Sequence, residues 1–66
     1  MEKILEANIN RYMTLANMKQ YQLAEYLGIT RQTFKRKCDN YGFTVRELGI
    51  IAQRLHIKVA DLVKGV

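Results

Sequence analysis

The sequence has no proline, one cysteine, one histidine and only four glycines. Each scarcity removes a class of answer. With Cys38 alone, no disulfide can close within the chain. Cys38 and His56 fall short of the paired ligands a structural zinc site needs, so no metal is expected. No stretch approaches the roughly 18 consecutive apolar residues of a membrane span. Glu2 and Glu6 interrupt the apolar residues at the N-terminus, which argues against a secretory leader. The lone thiol fits a reducing compartment, and a cytoplasmic location is expected. There is no nucleophile–base arrangement, no glycine-rich phosphate loop and no carboxylate pair with a cleft to sit in. A non-enzymatic protein without cofactor or small-molecule ligand is therefore expected.

What is present is a chain of 66 residues, 48% of them hydrophobic, which argues for a folded state. It holds no linker, repeat or low-complexity tract, so residues 1–66 read as a single domain. Below about 70–80 residues such a domain depends on tight helix packing. Eleven Lys and Arg against six Asp and Glu leave a net charge of +5. Arg31, Lys35, Arg36 and Lys37 fall within seven residues, and no acid occurs from Tyr26 to Cys38. This local excess favours an anionic partner, nucleic acid before a membrane surface.

Apolar residues recur at helical spacing throughout, and the absence of proline agrees with an all-α chain. Leu5, Ile9, Tyr12 and Met13 form one stripe of a first helix from about Glu2 to Ala16, with Asn17 as a left-handed stop. A second helix runs from Lys19 or Gln20 to Leu27, with Leu23, Ala24 and Leu27 inward and Gly28 ending it. Thr30 reads as the N-cap of a third helix, Arg31 to about Cys38, with Phe34 and Cys38 inward and Asn40 as its stop. Thr44-Val45-Arg46-Glu47 is a capping box, and Phe43 and Leu48 fit a hydrophobic staple. A fourth helix therefore starts at Val45 and ends near His56, carrying Leu48, Ile51, Ala52 and Leu55 inward. A short fifth helix, about Val59 to Val63, places Val59, Leu62 and Val63 against the bundle. Tyr41 and Arg46 read as a packed aromatic and a capping-turn residue. Cys38 reads as a buried, inert thiol.

Only Gly28-Ile29-Thr30 separates helix two from helix three, which is the spacing of a helix-turn-helix. Ala24 is small where the helices cross, Gly28 supplies the turn, Ile29 plugs the corner and Phe34 anchors the third helix. The outward residues of that helix are cationic or amide-bearing, which suits phosphates and base edges.

The stretch Gln20-Tyr21-Gln22-Leu23-Ala24 to Gly28-Ile29-Thr30-Arg31-Gln32-Thr33-Phe34 resembles the Cro/repressor-type, or XRE-like, helix-turn-helix family, and most of all small phage regulators of the Cro type. Leu55-His56-Ile57 resembles the Leu-Gly-Val that closes the family's fourth helix. The resemblance runs from about Ile9 to Leu62. It implies a compact five-helix, lambda repressor-like DNA-binding domain that acts as a transcriptional regulator. It also implies base contacts from Arg31, Gln32, Thr33 and Arg36, and phosphate contacts from Gln20 and Thr30, with Lys35 and Lys37 as phosphate neighbours. Three departures stand out. Met13 and Cys38 replace an Arg–Glu pair found in some members. His56 replaces a glycine. Asp39 stands where a phosphate-contacting Asn is expected, and its charge sets it outside the site.

Such regulators bind pseudo-palindromic operators as dimers, with recognition helices about 34 Å apart. No separate oligomerisation or effector domain is expected, so the dimer contacts fall to His56, Ile57, Lys58 and Val59. So small a patch predicts a weak homodimer that assembles on double-stranded DNA. The alternative is a protein-interaction module of the same fold, an antirepressor or antitoxin. Non-specific DNA binding is a third reading, marked by steep salt dependence without sequence preference.

Overall fold

Five helices follow one another in the computed structural model, which describes residues 4–66: α1 Ile4–Leu15, α2 Gln20–Leu27, α3 Arg31–Asn40, α4 Val45–Arg54 and α5 Val59–Leu62. No strand occurs among the described residues. The expected start of α1 at Glu2 lies outside them. Leu5, Ile9 and Met13 are buried along one stripe of α1, as their spacing requires. Helix α1 packs on α3 and α5, α2 packs on α3 and α4, and α4 packs on α5.

One core joins the helices: Leu5, Ile9, Met13, Leu23, Ala24, Phe34, Cys38, Ile51, Leu55 and Leu62. No polar or charged side chain is buried among the described residues. Met13 and Cys38, the apolar replacement for an ion pair, both belong to this core. An apolar pair is well suited there, because a buried ion pair has to overcome its own desolvation.

Local stop and start signals place the turns. Asn17 and His56 take left-handed backbone, φ 54° and 59°, and end the turns after α1 and α4. The His56 turn closes with the Ile57 amide on the Ala52 carbonyl at 3.0 Å. The Thr44 hydroxyl accepts from the Glu47 amide at 3.1 Å, and the Glu47 carboxylate accepts from the Thr44 amide at 2.9 Å.

Three expectations are corrected. Helix α3 continues to Asn40, and Tyr41 rather than Asn40 takes the left-handed conformation, with φ 55°. The amides of Tyr41 and Gly42 both reach the Lys37 carbonyl. Phe43 meets Phe34 edge to face, with ring centroids 5.3 Å apart, after the chain has left the helix. Tyr41 is thereby half exposed rather than packed. Val59 is also exposed, not inward. It is the first residue of a one-turn helix that leaves an extended Lys58, so only Leu62 is fully buried, and Val63 packs partly.

The two ends of the chain are tied. The Asn8 side-chain amide donates to the carbonyls of Leu62 and Lys64, each at 2.9 Å. Leu62 ends α5, and its carbonyl is one that a helix C-terminus leaves without a partner.

Candidate nucleic-acid interface

The α2–α3 unit is built from its turn. Gly28 has φ 72°, and the Ile29 amide bonds the Ala24 carbonyl at 3.0 Å. A side chain here would be strained by backbone conformation alone, since an added Cβ meets nothing within 4 Å. Ala24 is buried at the helix crossing, and Ile29 packs against the core. The Thr30 hydroxyl caps α3 by accepting from the Thr33 amide at 3.1 Å. Phe34 and Cys38 are buried on the inner side of α3.

Fixing those two residues fixes the rest of the helix. Arg31, Gln32, Lys35 and Arg36 come out exposed. Residues at i, i+1, i+4 and i+5 share one broad side of a helix, so the four side chains form a continuous surface. Thr33 is half-buried beside it. Its hydroxyl oxygen accepts from the Thr30 hydroxyl at 2.9 Å and from the Arg36 guanidinium at 3.5 Å. The three side chains thus run from the cap to the second turn of α3.

The other expected contact residues lie apart from that surface. Gln20 opens α2, and its side-chain amide donates to the Asn10 side-chain carbonyl of α1 at 3.2 Å. Lys37 is tied down: its ammonium donates to both Glu47 carboxylate oxygens, at 2.9 and 2.7 Å. That pair holds the end of α3 to the start of α4. The Lys37 ammonium, followed by the Thr44 amide, holds the Glu47 carboxyl below the ordinary glutamate range. The roles of Asn10 and Glu47 escaped the sequence reading, because each partner lies ten residues away on another element. The Thr44–Glu47 capping signature was the only hint at Glu47.

Burial, followed by the nearby charges of Glu6 and Asp39, pushes the Cys38 thiol up to about 12. It is neutral at physiological pH and offers no nucleophile. Among the described residues, no group of three His, Cys, Asp or Glu side chains could hold a metal. No helix among them is long and apolar enough to cross a membrane.

His56, Ile57 and Lys58 form the turn between α4 and α5, and Val59 opens α5. His56, Lys58 and Val59 are exposed, while Ile57 packs against the core. Beside them an open cleft of about 360 Å³ is lined by Met18, Tyr26, Gln53, Arg54 and His56. The Arg54 guanidinium lies 4.0 Å from the centroid of the Tyr26 ring.

A family model described as a Cro/C1-type HTH DNA-binding domain matches residues 8–66, from the second turn of α1 to Val66. No curated protein and no solved structure matches the chain.

Proposed function

The chain belongs to the Cro/C1-type helix-turn-helix DNA-binding domain family, and on that premise we propose that it is a sequence-specific transcriptional repressor of the Cro type. Helix α3 lies in the major groove of a pseudo-palindromic operator. The observation that carries this reading is the exposed Arg31, Gln32, Lys35 and Arg36 surface, held by a capped and buried inner side of the same helix.

Arg31 and Gln32 stand at the first two positions of α3, where a recognition helix reaches base edges. Either arginine suits the acceptor pair of guanine, and Gln32 suits adenine. Thr33 adds a methyl or hydroxyl contact at the rim. Gln20, Thr30 and Lys35 bind phosphates. Lys37 adds to the field, but a phosphate has to compete with Glu47 for it. Two copies meet through His56, Ile57, Lys58 and Val59, weakly enough that DNA drives their pairing. Repression follows from occupying DNA that polymerase needs.

The test is selection from random-sequence duplexes near physiological salt, followed by sequencing. The expected outcome is an enriched motif with two-fold symmetry. Arg31→Ala with Gln32→Ala abolishes the enrichment while the helical content stays intact. Binding without sequence preference, present only at low salt, would sink the operator reading and favour a protein partner for the same fold.

A further inference from the structure

Asn10 lies outside the helix-turn-helix, yet its side chain is the one that Gln20 touches. The Gln20 amide nitrogen donates to the Asn10 side-chain oxygen at 3.2 Å. Asn10 is exposed and Gln20 half-buried. A primary amide has two donor hydrogens and one carbonyl. The contact uses one hydrogen of Gln20 and the oxygen of Asn10. It leaves one Gln20 hydrogen and both Asn10 hydrogens unspent, on neighbouring nitrogens at one spot where α1 meets α2. It also fixes the Gln20 amide, so that its nitrogen rather than its oxygen lies beside Asn10. Thr14 bonds the Asn10 main-chain carbonyl at 2.9 Å and does not compete for the side chain.

Neighbouring neutral donors on two helices suit an anionic oxygen. We propose that Asn10 and Gln20 together clamp one phosphate of the DNA backbone, which extends the DNA-contacting surface from the helix-turn-helix onto α1. The inference rests on the DNA-binding reading above, since Gln20 is the phosphate contact from which it proceeds. Asn10 has two roles in the clamp: it donates to the phosphate and it orients Gln20.

Neutral amides release no counterions when they bind phosphate, and phosphate contacts carry no base information. The clamp therefore has a signature of its own. Asn10→Ala weakens binding to the selected operator about five-fold. It weakens a scrambled duplex by the same factor, and the slope of log K against log salt is unchanged. A lysine contact would lower that slope by about one. In a Gln20→Ala background, Asn10→Ala costs less than it does alone, because its orienting role has no object. Asn10→Asp keeps the acceptor for Gln20 but faces the phosphate with a carboxylate, and binds more weakly than Asn10→Ala.

The measurement is fluorescence anisotropy of labelled duplexes across a salt series, with circular dichroism melts of every variant. Arg31→Ala serves as the control for the DNA-binding reading. If Arg31→Ala destroys operator binding while Asn10→Ala binds like the parent chain, the clamp is overturned and the reading stands. Independent, multiplicative effects of Asn10→Ala and Gln20→Ala would also overturn it. If the parent chain binds no duplex, the reading and the clamp both fall.

Discussion

The most informative single residue is Glu47, because its carboxylate serves two neighbours. It closes the capping box on the Thr44 amide and takes both contacts from Lys37. The two roles separate by substitution. Glu47→Gln keeps a cap acceptor and loses the ion pair, which costs about 1 kcal/mol for a partly buried pair. Glu47→Ala loses both and costs about 1–2 kcal/mol. Denaturant midpoints of the two variants test the order. The folded state holds this carboxyl below its ordinary range. Its stabilisation is complete above the unfolded glutamate value of about 4.3 and fades as pH falls below that. Acid titration of stability therefore shows a steeper loss in the parent chain than in Glu47→Gln. Cys38 behaves in the opposite sense. Its thiol is raised to about 12, so it leaves stability independent of pH below the ordinary thiol range and lowers it as pH rises through that range. Iodoacetamide at pH near 8 labels Cys38 only when the chain is unfolded, which mass spectrometry with and without denaturant would show; rapid labelling of the folded chain would contradict its burial.

At the scale of elements, the helix boundaries follow from residues whose chemistry acts within a turn or two. Asn17, Gly28, Thr30 and the Thr44–Glu47 box were legible in the sequence, because each acts on backbone groups within five residues of itself. Asn40 misled for a physical reason. Local propensity favours Asn in a left-handed stop, but the helix runs one residue further, and the stop falls at Tyr41, where the Tyr41 and Gly42 amides close on the Lys37 carbonyl. Val59 misled because spacing alone does not tell whether the first residue of a one-turn helix has yet reached the core. The cationic surface of α3 was legible for the same reason that the buried side was, since Phe34 and Cys38 fix the helix rotation. The Lys37–Glu47, Asn8–Leu62 and Gln20–Asn10 contacts were not legible, because they depend on how separate helices meet. The left-handed positions give a paired test. Gly28→Ala forces a Cβ into φ 72° and costs about 1 kcal/mol, with no steric clash to add. His56→Gly relieves the same strain at φ 59° and stabilises by up to about 1 kcal/mol. Thermal melts that moved in the same direction for both would refute the strain argument.

For the whole molecule, the core is small enough that one residue decides whether it exists. Leu62 is fully buried, although it sits on the last and shortest helix. Leu62→Ala removes about 2–5 kcal/mol, a large share of what a domain of this size holds, and the chain should lose its cooperative melting transition near room temperature. The net charge of +5 sets a second property of the whole: it favours fast, salt-dependent association with DNA whatever the sequence. The bond from Asn8 to the carbonyls of Leu62 and Lys64 spans nearly the full sequence. During synthesis the first helix is made long before the residues that complete its packing. The growing chain cannot finish its core until residue 62 has left the ribosome. Until then the core that backs Phe34 and Cys38 of α3 lacks the Leu62 side chain.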